Sequence, residues 1–169
     1  SSTEWSRYLH DTAGIPDEPD EINAEVVRRM LAAYRDHLPL VPGAAAAVQR
    51  LAARFPVGLA SSSNRELIDT VLEVTGLAPY FAATVSSEEV ARGKPAPDVY
   101  LEAARRLGVT PERCAAVEDS HGGLRSAKSA GMRVVAIPNS SYPPDVEALA
   151  LADVTIGSLD ELTVDVVSG

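Results

Sequence analysis

The chain has 169 residues, 46% of them apolar and 5% aromatic, with a formal net charge of −9. That length and apolar content support one folded domain whose core is mostly Val, Leu, Ile and Ala, which suits helices packed on a sheet and excludes a disordered chain. The acidic balance argues against nucleic acid and anionic membrane as partners, so an anionic substrate would need a local cation or metal to overcome the global field. One cysteine, Cys114, sits in an apolar run. It excludes a disulfide framework and points to a reducing, cytoplasmic compartment, with the thiol acting as a small buried hydrophobe. No stretch approaches the length of a membrane span.

In chain order, residues 4–13 and 20–38 read as helices, the first opened by a Ser or Thr cap within residues 1–3. The second carries Ile22, Val26, Val27, Met30, Leu31 and Tyr34 at helical spacing. The proline-rich stretch 14–19 separates the two. Trp5 and Tyr8 are expected in the core of this helical segment, and His10 and His37 on its surface. Two prolines within Leu38–Gly43 then mark a linker into a second unit.

From residue 43 helix and strand alternate: helix 43–54, strand 56–60, helix 64–76, strand 81–86, helix 95–107, strand 113–118, helix 121–130 and strand 133–137. A short helix near 143–150, strand 152–156 and helix 158–163 complete the chain. This rhythm predicts βαβ units and an α/β, Rossmann-like parallel sheet flanked by helices. The strands are continuous apolar runs, as buried parallel strands require. Gly108 and Gly131 fall just past helix ends, where a left-handed residue closes the last turn.

Three polar motifs follow strands, and in an open parallel sheet ligands bind at the carboxyl ends of the strands. Ser61-Ser62-Ser63-Asn64 follows Val57–Ala60. Its hydroxyls and the next helix's amides can donate to phosphate oxygens, although taken alone the motif reads first as a plain helix cap. Lys94, in Gly93-Lys94-Pro95, offers a compact charge to developing phosphoryl oxygens; taken alone it is one lysine in a turn. Glu118-Asp119-Ser120 ends the third strand. Adjacent carboxylates there are costly unless donors or a cation satisfy them, and Mg²⁺ is bound by one or two carboxylates plus substrate oxygens and water. The alternative is a solvated acidic turn. Gly122 and Gly123 allow close backbone approach; His121 adjoins Asp119 and is the one histidine to weigh for substrate contact against a plain surface position.

Together the motifs resemble the haloacid dehalogenase-like hydrolase superfamily, in particular the branch with β-phosphoglucomutase and small sugar-phosphate phosphatases. The resemblance rests on Leu59–Asn64, Val85–Val90, Gly93–Tyr100, Glu118-Asp119-Ser120 with Gly123 and Ala127, and Gly131–Val134, and it runs from about residue 40 to 165. It implies a Rossmann-like core over 40–169 and the C-terminal part of a helical cap over 1–39. It also implies Ser61 as the phosphate-binding hydroxyl, with Ser62, Ser63 and Asn64 shaping the phosphate pocket. Lys94 would neutralise nucleophile and phosphoryl group, Asp119 would bind Mg²⁺, and Glu118 would bind it directly or through water. The implied reaction is attack of an aspartate on phosphorus to give an aspartyl-phosphate, with a second aspartate two residues later as general acid and base.

The family's first motif, Asp-x-Asp-Gly after an N-terminal strand, does not occur in the 169 residues, and Asp17-Glu18-Pro19-Asp20 is not one. In the family that strand lies between the strands expected here near 57–60 and 114–117. The expectation is therefore that the natural protein begins upstream of Ser1, and that these residues alone do not turn over. The implied function is a Mg²⁺-dependent phosphatase of small phosphorylated metabolites, acting as a monomer. Alternatives are a β-phosphoglucomutase-type phosphomutase, an inactive fragment or phosphate-binding regulatory domain, and a haloacid dehalogenase. The last needs no metal, and the carboxylate pair argues against it.

Overall fold

A computed structural model describes residues 2–169, with side chains from Glu4 onward. The cap expected within residues 1–3 lies outside those side chains. The chain opens with helices α1 (Ser2–Asp11) and α2 (Pro19–Asp36). Pro19 fits the first turn of α2, where its missing N–H leaves no bond unmade, and the Glu21 carboxylate accepts the Glu18 N–H at 3.3 Å. Val27 and Leu31 of α2 pack against Leu67, with Met30 and Tyr34 beside them, so the apolar stripe of α2 is what fastens the N-terminal helices to the rest. Tyr8 differs from expectation: it is 60% exposed, on the outer face of α1.

The alternating part contains α3 (Ala44–Ala52), β1 (Val57–Ser61), α4 (Arg65–Thr75), β2 (Phe81–Ser86), α5 (Asp98–Leu107) and β3 (Ala115–Glu118). It continues with α6 (His121–Ser129), β4 (Arg133–Ala136), α7 (Val146–Leu149), β5 (Val154–Thr155) and α8 (Val164–Ser168). Every pairing is parallel, with Ala60 opposite Val85 and Glu118 opposite Ala136. The fold is thus the expected α/β arrangement of parallel strands flanked by helices.

The strands form two ladders, β1-β2 and β3-β4-β5, and among the described residues no ladder joins β1 to β3. One core nevertheless spans both. Val85 of β2, Val99 and Ala103 of α5, Ala116 of β3, Leu124 of α6 and Val134 of β4 are all buried in a single cluster. Val117 breaks the expected buried run: it is 37% exposed between buried Ala116 and Glu118.

Two helices depart from expectation for local reasons. α5 starts at Asp98, not 95, because Pro95 and Pro97 withhold two amides and Ala96 N–H closes a turn onto Gly93 O at 3.0 Å. Within 158–163 a 3-10 turn covers only Leu159–Glu161, and the Thr163 hydroxyl, accepting from Val166 N–H, starts α8 instead. Gly108 and Gly131 adopt φ of +70° and +79° after α5 and α6, the left-handed closure that side chains rarely allow.

Candidate active site

The carboxyl ends of β1, β2 and β3 carry the three motifs. At the end of β1, Ser61 Oγ accepts the Ser63 N–H at 3.1 Å, which leaves its own proton free to donate. The turn is pinned from β2. Ser86 Oγ donates to Ser63 O at 2.7 Å, and Ser87 Oγ to Ser62 O at 3.1 Å. Ser62 and Ser63 are exposed, whereas Asn64 is buried.

The Asn64 amide is committed elsewhere than to an open pocket. It donates to Glu88 Oε1 at 2.7 Å, and the Arg65 N–H donates to Glu88 Oε2 at 2.7 Å. The positive end of α4 is therefore satisfied by a carboxylate reaching over from the segment after β2, not by a serine or asparagine cap of its own.

Lys94 leaves the loop between β2 and α5, with its side chain 13% exposed. Its ammonium donates to Ala60 O at 3.1 Å and to Glu118 Oε1 at 2.5 Å, so one side chain ties the end of β1 to the end of β3. It also lies 4.8 Å from the centroid of the Tyr100 ring, within range of a cation–π contact.

Glu118 is buried, and its donors explain how that charge is tolerated. Oε1 accepts from Lys94 and from the Tyr100 hydroxyl, and Oε2 accepts from Ser120 Oγ at 3.2 Å. Ser120 Oγ in turn accepts Gly123 N–H at 3.1 Å and caps α6. Gly123 is where the backbone must come close: a Cβ there would stand 1.8 Å from Glu118 Oε2. Burial first, and then the negative Glu118 beside it, push the Tyr100 phenol far above its ordinary range, so it stays a donor.

Asp119 is exposed and makes no hydrogen bond or ion pair among the described residues. His121 points elsewhere. Its Nδ1 lies 2.8 Å from Asp145 Oδ2, and its Nε2 accepts from Arg125 Nε at 2.9 Å, which fixes the proton on Nδ1. His10 Nδ1 bonds Asp17 O at 3.0 Å in the loop before α2. Cys114 is partly buried against the core, and burial raises its thiol.

The structure thus brings Lys94 and Glu118 together beside Ala60, directly before Ser61, and keeps Asp119 open at the same strand end. It turns Asn64 away toward Glu88. Among the described residues no group of three or more His, Cys, Asp and Glu could hold a metal by itself. Two adjacent carboxylates do suit a Mg²⁺ that keeps water and substrate oxygens in its shell. A groove of about 700 Å³ lies between α2 and α4, lined by Asn23, Val27, Arg28, Asn64, Arg65 and Glu88 among others.

Tyr100, Ser120, Glu88, Ser86 and Ser87 were not assigned roles from sequence. All five lie inside the motifs Val85–Val90, Gly93–Tyr100 and Glu118-Asp119-Ser120, and that membership is the signal that could have found them.

The fold and this cluster define an α/β core of parallel strands flanked by helices, with its polar groups at the strand ends. A family model described as haloacid dehalogenase-like hydrolase matches residues 2–131, and the chain belongs to that family. It is 38% identical over 144 residues to hexitol phosphatase B of Escherichia coli K12, covering 85% of this chain and 64% of that protein. It is 36% identical over 153 residues to the bifunctional riboflavin kinase/FMN phosphatase of Arabidopsis thaliana, covering 89% of this chain and 40% of that protein. Among solved structures, CbbY from Rhodobacter sphaeroides in complex with phosphate superposes with a TM-score of 0.84 at 27% identity, over 98% of this chain and 76% of that one. The chain thus spans 40–64% of the length of these two curated relatives. No helix among the described residues is long and apolar enough to cross a membrane.

Proposed function

We propose that the protein is a Mg²⁺-dependent phosphatase of small phosphorylated metabolites, with sugar or polyol phosphates as the substrate class. The observation that carries this reading is the Lys94 ammonium, bonded to Ala60 O and to buried Glu118. An ammonium has three protons, and these bonds use two of them. The third is available to a phosphoryl oxygen, and the Ser61 hydroxyl proton one residue beyond Ala60 is available to another. The names of the phosphatase relatives support hydrolysis and the substrate class.

Asp119, open to solvent, and the remaining lone pair of Glu118 Oε2 would hold the cation. When bound, Mg²⁺ would neutralise charge on the transferring phosphoryl group. The chain's own residues do the rest. Ser61 and the turn pinned by Ser86 and Ser87 orient the phosphate, and Lys94 offsets its charge.

The attacking aspartate is supplied, in this reading, by a segment outside the 169 residues. That segment would enter as a strand between β1 and β3, which no ladder joins among the described residues. Its carboxylate forms the bond to phosphorus as the bond to the leaving alcohol breaks, and water then releases phosphate. Residues 1–39 are read as the C-terminal part of a cap that screens the site from bulk water.

The test is phosphate release from p-nitrophenyl phosphate and from hexitol phosphates by the whole gene product, with Mg²⁺ and with chelator. Loss of turnover on chelation and in Lys94→Ala is expected. Turnover surviving full chelation would refute the metal requirement.

A further inference from the structure

We infer that Tyr100 is a positioning residue, holding Glu118 and Lys94 so that one ammonium N–H and one carboxylate lone pair are left for the reaction. The inference rests on the phosphatase reading above and adds to it a residue with no contact to the reacting atoms.

The hydrogen-bond accounting is specific. Glu118 Oε1 has two lone pairs and two donors, the Lys94 ammonium and the Tyr100 hydroxyl, and is saturated. Oε2 has one donor, Ser120 Oγ, and keeps one lone pair free. Without the Tyr100 hydroxyl, Oε1 would have a lone pair to spare. The carboxylate could then turn and offer Oε1 outward, drawing the Lys94 ammonium with it and away from Ala60 O.

The ring of Tyr100 acts on the second partner. Its face lies 4.8 Å from the Lys94 nitrogen, on a side chain that is itself largely buried. Tyr100 is 7% exposed and fixed in the first turn of α5, inside the core cluster that includes Val99 and Ala103. A rigid element thus presents a hydroxyl to the anion and a π-face to the cation of one ion pair. A tyrosine that merely filled the core would need a hydroxyl partner, but it would not need the two groups of this pair.

The experiment compares wild type, Tyr100→Phe, Tyr100→Leu and Lys94→Ala in the whole gene product. It reads kcat and KM for p-nitrophenyl phosphate, Mg²⁺ affinity by calorimetry, and the unfolding midpoint. Phe keeps the ring and removes the hydroxyl. The expectation is a kcat lower by roughly tenfold with KM within about twofold, and Mg²⁺ binding weaker by several-fold. Leu, which removes the ring as well, should lower kcat further.

A wild-type kcat and Mg²⁺ affinity in Tyr100→Phe would overturn the inference. So would a loss that disappears once rates are normalised to folded protein, because that marks a packing role. Lys94→Ala separates the two levels. If it retains the wild-type rate, the phosphatase site itself is wrong; if it is inactive while Tyr100→Phe is normal, only the positioning role falls.

Discussion

Replacing Gly123 by Ala should damage the protein, while replacing its neighbour Gly122 should not. Both glycines lie in the first turn of α6, where Ala is intrinsically favoured over Gly by up to about 1 kcal/mol. The environments differ sharply. A Cβ at Gly122 would meet nothing nearer than Lys94 Cβ at 3.9 Å, an ordinary contact. A Cβ at Gly123 would stand 1.8 Å from Glu118 Oε2 and 2.0 Å from its carboxyl carbon, so the carboxylate must leave. That carboxylate cannot move without giving up Lys94, Tyr100 and Ser120.

Breaking a buried ion pair costs about 3–5 kcal/mol, and the helical gain returns a fraction of it. Gly123→Ala should therefore lose about 2–4 kcal/mol. For a domain of this length the unfolding midpoint should drop roughly 5–15 °C. Gly122→Ala should be neutral or slightly stabilised. The assay is thermal and chemical unfolding of the three proteins side by side. Equal midpoints for the two variants would refute the claim that Glu118 occupies the space over Gly123.

The remaining predictions concern the groups around β2. Burial works against the charge of Glu89, but hydrogen bonds from Arg65, Arg106 and the Ser86 N–H outweigh it and bring its pKa from 4.5 down to about 2. Since the folded value lies below the unfolded one, Glu89 contributes stability above about pH 4.5 and loses it as pH falls toward 2. With the side chain 28% exposed, that contribution is discounted to about 1–2 kcal/mol. Glu89→Gln should flatten the acid limb of a stability–pH profile by that amount, and an unchanged limb would contradict the assignment. Glu88→Ala leaves the Arg65 N–H without its acceptor and the Asn64 amide with only Asn23 Oδ1 at 3.5 Å, so denaturant unfolding should show a loss of about 1–2 kcal/mol. Because Glu88 lies outside the Lys94–Glu118 cluster, Mg²⁺ affinity in Glu88→Ala should stay near wild type.

The order of helices and strands was legible because each strand is a continuous apolar run and each helix carries an apolar stripe. Gly108 and Gly131 marked two helix ends by a backbone requirement that acts locally. What stayed hidden were contacts between residues far apart in sequence. The cap of α4 comes from Glu88, and the Ser61–Ser63 turn is held by Ser86 and Ser87, so a local reading credits Asn64 and the serines with more than they do. Tyr100 reads as a core aromatic, and nothing local says that its hydroxyl meets Glu118. Lys94 and Glu118 could be assigned to one sheet edge, but the shared Ala60 carbonyl depends on how the loop after β2 folds back.

The central claim is that the ends of β1 and β3 form a phosphoryl site served by a cation at Asp119. The most direct test is the rate of p-nitrophenyl phosphate hydrolysis by Asp119→Asn in the whole gene product at saturating Mg²⁺. Asp119 is exposed and makes no hydrogen bond or ion pair among the described residues, so the change should leave the unfolding midpoint nearly unmoved. The account predicts a loss of at least about 100-fold in kcat with the fold intact. A wild-type rate in that variant would contradict it.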